Sequence, residues 1–110
     1  DDTLRGVALA DAELRYTAPE LLTGQNADVR SDVFTMGVLA YEMATATLPY
    51  DGASMPDLLG NMLRGEPANP RTRQPTMPAS ASSALLRALR PSPNDRFATA
   101  QEFGLALLGH

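Results

Sequence analysis

The sequence predicts a mainly α fold that is organised around one buried helix. Between residues 33 and 46, only Thr35, Gly37, Glu42 and Thr45 interrupt an apolar run. A surface helix shows one apolar stripe, so a run that is apolar on nearly all sides indicates a core helix. The run lacks the alternation of a strand, and Glu42 interrupts it before the length of about 18 residues that a membrane span needs. Three later segments with apolar residues at helical spacing complete the prediction.

The part of the chain before this helix is predicted to contain little regular structure. Residues 1–6 are typical of a turn, and residues 7–10 are typical of a short strand. Pro19 suits the first turn of a helix, where its missing N–H group is not needed, and Gly24 suits the position after a helix end. We therefore expect one short helical turn between them, followed by a polar connector.

The central helix is expected to begin at Ser31, because this hydroxyl can accept hydrogen bonds from free N–H groups of the first turn. Asp32 places a negative charge where the helix dipole favours it. Gly37 lies inside the helix, where glycine costs about 1 kcal/mol relative to alanine. A close contact with another element is therefore expected at Gly37.

The first of the three later helices is predicted at residues 56–64. Ser54 and Asp57 form a capping box at its start, and Gly65 suits its end. Its inward side is expected to consist of Leu58, Leu59, Met62 and Leu63. A proline-rich extended loop is predicted at residues 66–78.

The second of these helices is predicted at residues 80–90, and Pro91 and Pro93 stop it. Its inward side is expected to consist of Ala81, Ala84, Leu85, Ala88 and Leu89. The last helix is expected to start at the N-cap Thr99, with Glu102 as its capping-box partner. Its inward side is expected to consist of Phe103, Leu105, Ala106 and Leu108.

Composition and charge exclude several classes of function. The 110 residues carry a net charge of −4, which argues against general binding of nucleic acid or of acidic membranes. The absence of cysteine excludes a disulfide framework and a zinc–thiolate site, and all basic residues are arginines, so the chain contains no catalytic lysine. We find no signal peptide, and we expect a cytoplasmic protein. Because the chain begins at Asp1 without methionine, we expect it to derive from something longer.

Several short motifs follow one another along the chain in a fixed order. They are Ala18-Pro19-Glu20, the D-x-x-S-D-x-x-x-x-G pattern of residues 28–37, Tyr41-Glu42-Met43, Leu48-Pro49-Tyr50, and Asn94-Asp95-Arg96-Phe97. In this order and at this spacing they resemble the lower C-terminal lobe of a bacterial-type Ser/Thr protein kinase, in which A-P-E closes the activation segment. Residues 1–110 are therefore identified as part of a protein-kinase-like domain.

The resemblance implies structural roles for four residues. Glu20 would receive a two-pronged contact from Arg96, because a planar guanidinium matches a carboxylate, and the pair would hold the end of the activation segment against the helical base. Asp32 would hold the backbone of the catalytic loop in a complete domain, or would serve here only as a helix N-terminal charge. Gly37 belongs to the motif that opens the central helix. No catalytic or cofactor-binding residue is expected.

Asp11 is the candidate metal ligand that the resemblance offers. Residues 7–13 align with the pattern V-K-L-x-D-F-G, whose aspartate holds the magnesium ions that bridge ATP phosphates. Ala12 and Glu13 replace the phenylalanine and glycine of that pattern, and they also stand where the family has glycine and threonine before A-P-E. The alternative is that Asp11 is an ordinary aspartate at the end of a strand.

The resemblance also indicates which elements of a kinase domain are not contained in residues 1–110. The Gly-rich loop, the strand lysine and the catalytic loop of the family all lie upstream, and phosphoryl transfer depends on them. We therefore expect the chain to be inert by itself and to need no cofactor, whereas an active parent would use ATP and magnesium. The first hypothesis is a pseudokinase lobe that regulates or binds partners. The alternatives are part of an active Ser/Thr protein kinase and a small helical interaction domain.

The family also predicts an interface. Preceding helices of the lobe wrap the central helix in kinases, and three short alanine-rich helices cannot cover all of its large side chains. The side chains expected to form an uncovered strip are Val33, Phe34, Val38, Leu39 and Tyr41. An apolar strip of this kind usually marks an interface, so we expect a protein partner or self-association, without nucleic acid or a membrane.

Overall fold

The computed structural model describes residues 12–109, and its regular structure there consists of α-helices and short 3-10 turns without a strand. The helices are α1 (Pro19–Leu22), α2 (Val29–Thr45), α3 (Met55–Arg64), α4 (Ala79–Ala88) and α5 (Ala100–Leu107). The 3-10 turns are Ala12–Tyr16, Pro70–Thr72 and Pro93–Asp95. The mainly α fold with a central helix is confirmed. The strand predicted at residues 7–10 and the candidate ligand Asp11 lie outside the described residues.

Helix α2 begins three residues before the position that the sequence predicts. Its N-cap is Asp28, whose carboxylate accepts a hydrogen bond from the Arg30 backbone N–H at 2.6 Å. Ser31 lies one turn into the helix, and its hydroxyl accepts a bond from the Asp28 N–H at 3.4 Å. The prediction of Ser31 as N-cap was wrong because Asp28 caps the helix and Ser31 closes the capping box from inside.

Helix α2 lies between two clusters of buried apolar side chains. One cluster packs α2 against α1, α3 and the segment after α2, and its buried members are Ala18, Phe34, Val38, Tyr41, Tyr50, Leu58, Met62 and Leu89. The other packs α2 against α4, α5 and the loop between them, and its buried members are Val33, Ala84, Leu85, Ala88, Phe97 and Phe103. The core is therefore built on two sides of one helix.

The uncovered strip predicted on α2 was wrong for four of its five residues. Val33, Phe34 and Val38 are 0% exposed and Tyr41 is 1% exposed, because both core clusters reach the helix. Of the predicted strip, Leu39 alone is exposed, at 46%.

The exposed side of α2 lies elsewhere on the helix. Val29, Asp32, Leu39 and Met43 follow one another at helical spacing and are all exposed, Met43 at 86%. We call these four residues the outer face of α2. Three of the four are large apolar side chains, so this face is a candidate interface.

The buried sides of α3 and α5 differ from the inward sides that the sequence predicts. In α3, Leu58 and Met62 are buried, whereas Leu63 is 56% exposed. In α5, Phe103 is buried and Ala106 and Leu107 pack against its cluster, whereas the remaining predicted residues are exposed. These exposed residues are Leu105 and Leu108. Residues three or four apart share a helix side, so a face built on Phe103 excludes both of them.

Gly37 lies at a close contact between α2 and the end of α4. A Cβ atom built on Gly37 would lie 2.9 Å from the Ala88 Cβ and 3.3 Å from the Leu89 Cδ2. Both distances are shorter than ordinary van der Waals contacts, so an alanine at this position would force the helices apart. This contact is the close packing that the sequence predicts for Gly37.

Tyr50 makes the stability of the fold sensitive to alkaline pH. Its buried hydroxyl donates to the Leu89 carbonyl oxygen at 2.8 Å, and burial raises its pKa from 10.0 to about 12. The contribution of Tyr50 to stability should therefore be complete below pH 10 and should be lost as the pH rises through 12, by at most about 2–3 kcal/mol. Urea unfolding from pH 8 to 12 would measure this loss. In Tyr50→Phe the loss should shrink, and an equal loss in that variant would contradict the assignment.

Candidate functional site

A buried ion pair joins α1 to the loop between α4 and α5. The Arg96 Nη1 lies 2.8 Å from the Glu20 Oε2, and the Arg96 Nη2 lies 2.8 Å from the Glu20 Oε1. Arg96 is 2% exposed and Glu20 is 9% exposed. The contact is therefore the planar, two-pronged arrangement that fixes both position and orientation.

The guanidinium of Arg96 has a partner for each of its five N–H groups. Besides Glu20, it donates from Nε to the Arg90 carbonyl oxygen at 2.7 Å. It also donates from Nη1 to the Arg30 carbonyl oxygen and from Nη2 to that of Pro91, each at 3.0 Å. Removing a charge from water is costly unless every polar group finds a partner, and this arginine meets that condition.

Two further side chains complete the surroundings of the ion pair. The Ser31 hydroxyl donates to the Glu20 Oε2 at 2.7 Å. The Phe34 ring lies under the guanidinium, with its centroid 4.9 Å from the Arg96 Cζ, which suits a cation–π contact. Burial of the Glu20 carboxyl raises its pKa, but the hydrogen bonds from Arg96 and Ser31 outweigh this effect, and the resulting pKa lies below the ordinary value.

Local structure positions both partners of the ion pair. Pro19 starts α1, and the carbonyl of Glu20 accepts hydrogen bonds from the Thr23 hydroxyl at 2.9 Å and from the Gln25 N–H at 3.0 Å. Arg96 directly follows the 3-10 turn Pro93–Asp95, which the bond from the Arg96 N–H to the Pro93 carbonyl closes. Both side chains therefore leave short, internally bonded turns.

A second set of contacts holds residues 12–16 against the flank of α2. The Thr35 hydroxyl donates to the Tyr16 carbonyl oxygen at 2.6 Å, and the Tyr16 hydroxyl donates to the Glu42 carboxylate. The Arg15 Nε lies 2.6 Å from the Asp51 Oδ1. Sequence reasoning missed these contacts because it assigned no partner to Thr35 or Glu42: both interrupt an apolar run, and Glu42 also belongs to the Tyr41-Glu42-Met43 motif.

The other predicted site residues lie apart from the ion pair. Asp32 is exposed in the first turn of α2, on the outer face, and its carboxylate makes no hydrogen bond within residues 12–109. Gly37 lies at the contact with α4. The structure thus brings Glu20 and Arg96 together and leaves Asp32 and Gly37 outside that cluster.

The described part of the chain contains no candidate metal centre. Within residues 12–109, no three His, Cys, Asp or Glu side chains gather closely enough to hold a metal ion. Asp11, the candidate ligand, lies outside that range.

None of the helices in the described part of the chain is both long and apolar enough to cross a membrane.

Comparison with known proteins gives one consistent result. Residues 8–104 match the family "Protein kinase domain". The tyrosine-protein kinase MasK of Myxococcus xanthus is 37% identical over 92 residues, which are 84% of this chain and 14% of that protein. The serine/threonine-protein kinase PknB of Mycobacterium tuberculosis is 33% identical over 88 residues, which are 80% of this chain and 14% of that protein. The chain thus spans about one seventh of the length of these relatives.

Solved structures give the same fold. The crystal structure of the Rad53 kinase domain and SCD2 superposes with a TM-score of 0.69 at 27% identity, over 83% of this chain and 34% of that chain. The same protein in complex with AMPPNP superposes with a TM-score of 0.67 at 26% identity, over 82% of this chain and 36% of that chain. The chain belongs to the protein kinase domain family, and it corresponds to part of the C-terminal lobe.

Proposed function

We propose that the chain forms the structural and partner-binding base of a kinase-like domain and transfers no phosphate by itself. The observation that carries this proposal is the buried pair of Glu20 and Arg96, which ties the A-P-E segment to the last part of the lobe. Two donors of the arginine bind the Glu20 carboxylate and three bind main-chain carbonyl oxygens, so its chemistry suits a mechanical connection and leaves no donor of Arg96 free for catalysis.

The outer face of α2 supports the second half of the proposal. It presents Val29, Leu39 and Met43 beside the carboxylate of Asp32. By the resemblance to kinases, we expect the preceding helices and the catalytic loop of a complete domain to cover this side of the central helix. We propose that the same face receives those segments in a longer parent, and that in the separate chain it receives a protein partner or a second copy.

We further propose that the parent is a pseudokinase with a regulatory role. Ala12 and Glu13 support this. On one alignment they replace the phenylalanine and glycine of the magnesium-binding motif. On the other alignment they replace the glycine and threonine that precede A-P-E. A carboxylate at Glu13 would repel the catalytic aspartate expected nearby. The names of MasK and PknB favour the alternative, an active parent that uses ATP and magnesium. An intact H-R-D-x-K-x-x-N motif upstream would support activity, and its absence would support a pseudokinase.

The chain should not bind ATP with magnesium, since the phosphate-contacting elements of the family other than Asp11 lie upstream of the matched region. Isothermal titration calorimetry with ATP and excess magnesium should give no saturable heat, and incubation with radiolabelled ATP should label no protein. Asp11→Asn should behave identically. Micromolar binding by the chain that Asp11→Asn abolishes would contradict the proposal and assign Asp11 as a metal ligand.

The chain should self-associate through the outer face when no other partner is present. Light scattering at increasing concentration should give a rising mass, and the pair Leu39→Gln and Met43→Gln should abolish the increase, because both substitutions remove apolar area from one interface. Leu63→Gln is a matched control, since Leu63 is also exposed but lies on α3. A monomer at every concentration, or equal effects of both changes, would contradict self-association through this face.

A further inference from the structure

A cleft of about 360 Å³ lies between α4 and α5, away from the ion pair and the outer face. Its polar wall contains Ser80, Ser83 and Arg87 of α4. Its apolar floor contains Ala84, Phe97 and Ala106. Sites for small ligands usually combine an apolar lining with a few polar groups and begin at about 300 Å³, so both the size and the lining suit a small ligand.

The polar groups of the cleft follow one line along α4. Ser80, Ser83 and Arg87 are spaced by three and four residues, which places them on the same side of a helix. Neither serine hydroxyl makes a hydrogen bond to another group of residues 12–109. Three adjacent donors of one helix therefore face an open cleft.

The guanidinium of Arg87 is held at the edge of the cleft. Its Cζ lies 4.3 Å from the centroid of the Phe97 ring, and its Nε donates to the Asp95 carbonyl oxygen at 3.4 Å. These contacts fix the plane of the group. Its two terminal amino groups make no hydrogen bond within the described part of the chain, so they remain available to a ligand.

The charge of the cleft selects an anion with one negative charge. Among residues 12–109, Arg87 is the one cation that lines the cleft and no acidic side chain lines it. Ser80 lies in the first turn of α4, where the helix dipole favours negative charge. A single guanidinium matches the two oxygens of a carboxylate, whereas phosphate groups are typically bound by arginine clusters. The apolar floor adds the requirement for a small apolar group beside the carboxylate.

We propose that this cleft binds a carboxylate that carries a small apolar group. The carboxylate lies between Arg87 and the hydroxyls of Ser80 and Ser83, and the apolar group lies on Ala84, Phe97 and Ala106. A short branched carboxylic acid and the C-terminal residue of a peptide share this chemistry. The site is independent of the outer face and of the kinase-like role of the chain.

Titration of the isotope-labelled chain followed by NMR tests the proposal with isovalerate, N-acetyl-leucine and the neutral isovaleramide. Both acids should shift the amide signals of Ser83 and Arg87 with a Kd of about 1–10 mM, as expected for ligands of this size. Isovaleramide should bind at least about tenfold more weakly, because it lacks the charge that pairs with Arg87. Tighter binding of N-acetyl-leucine supports a peptide end as the source, and tighter binding of isovalerate supports a free acid.

Matched substitutions separate the cleft from general charge effects. Arg87→Gln should weaken isovalerate binding at least about tenfold, and Ser83→Ala should weaken it several-fold. Arg90→Gln removes an exposed arginine that does not line the cleft and should leave the Kd unchanged. Three results would overturn the proposal: no saturable shift with either acid, equal binding of isovaleramide, or equal losses in Arg87→Gln and Arg90→Gln. Arg87→Lys keeps the charge and provides a folded variant if Arg87→Gln fails to fold.

Discussion

Replacing Arg96 with alanine should lower the free energy of unfolding by about 3–5 kcal/mol. The substitution leaves the Glu20 carboxylate buried at 9% exposure without its cation. It also removes the N–H groups that donate hydrogen bonds to the carbonyl oxygens of Arg30, Arg90 and Pro91. Urea denaturation followed by circular dichroism would measure the loss, and Arg90→Ala, which truncates an exposed arginine nearby, should change stability by less than about 0.5 kcal/mol.

A double-mutant cycle tests whether the two charges act as one unit. Glu20→Ala combined with Arg96→Ala should cost little more than Arg96→Ala alone, since the second change removes a carboxylate that has already lost its partner. If the losses from the two single variants simply add, Glu20 and Arg96 do not stabilise each other.

Acid titration gives a second measurement of the same pair. The folded-state pKa of Glu20 lies below its ordinary value of 4.5, so its stabilising contribution is complete above pH 4.5 and is lost as the pH falls through the folded-state pKa. The stability difference between the unmodified chain and Glu20→Gln should therefore narrow as the pH falls below 4.5. A difference that stays constant down to pH 2 would assign the destabilisation to something other than the charge.

Phe34→Ala should cost about 3–5 kcal/mol, which is usual for removing a fully buried phenylalanine. Phe34 is 0% exposed, its ring stacks on that of Tyr50 with centroids 6.0 Å apart, and the Arg96 guanidinium lies over its ring. The substitution therefore opens a cavity between the core and the ion pair, and it removes an aromatic pair that typically adds about 1 kcal/mol.

Met43→Ala provides the matched comparison on the same helix. Met43 is 86% exposed on the outer face, so its truncation should change stability by less than about 0.5 kcal/mol. Phe34→Leu retains most of the volume and should cost less than the alanine variant. A loss below about 1 kcal/mol for Phe34→Ala would mean that the core collapses around the missing ring.

Most helix boundaries could be predicted because local signals decide them, and the start of α2 at Asp28 was the exception. The Ser54 hydroxyl accepts a bond from the Asp57 N–H at 3.4 Å, and the Thr99 hydroxyl accepts one from the Glu102 N–H at 3.1 Å. Gly65 ends α3 with a φ of +66°, which glycine adopts without strain. Each signal involves residues no more than four positions apart, so no knowledge of the tertiary structure was needed.

The buried side of each helix could not be predicted, because it depends on distant elements. Phe34 and Leu39 are both large and apolar, yet Phe34 lies in a buried cluster and contacts Tyr50 and Arg96, whereas Leu39 is 46% exposed. Leu105 in α5 and Leu108 directly after it are as apolar as the buried Phe103, and the packing against α2 and α4 distinguishes them.

The candidate site divides in the same way. The kinase-like motifs identified Glu20 and Arg96 as partners, although 76 positions separate them. Ser31 and Phe34 contact the same pair, but the sequence predicted Ser31 as an N-cap and Phe34 as part of an uncovered apolar strip. Their spacing of three residues places both on one side of α2, and this spacing is the signal that would have identified them together.

The separation of Glu20 and Arg96 also determines when the fold can be completed during synthesis. The ribosome releases Glu20 many residues before Arg96, and burial of a carboxylate without its cation is costly. Until Arg96 leaves the exit tunnel, Glu20 must remain in contact with water, and α1 cannot take its final place against α2. Contacts between such distant positions also slow folding, because a long segment must be ordered before they form. The last step of folding therefore follows the release of Arg96 from the ribosome.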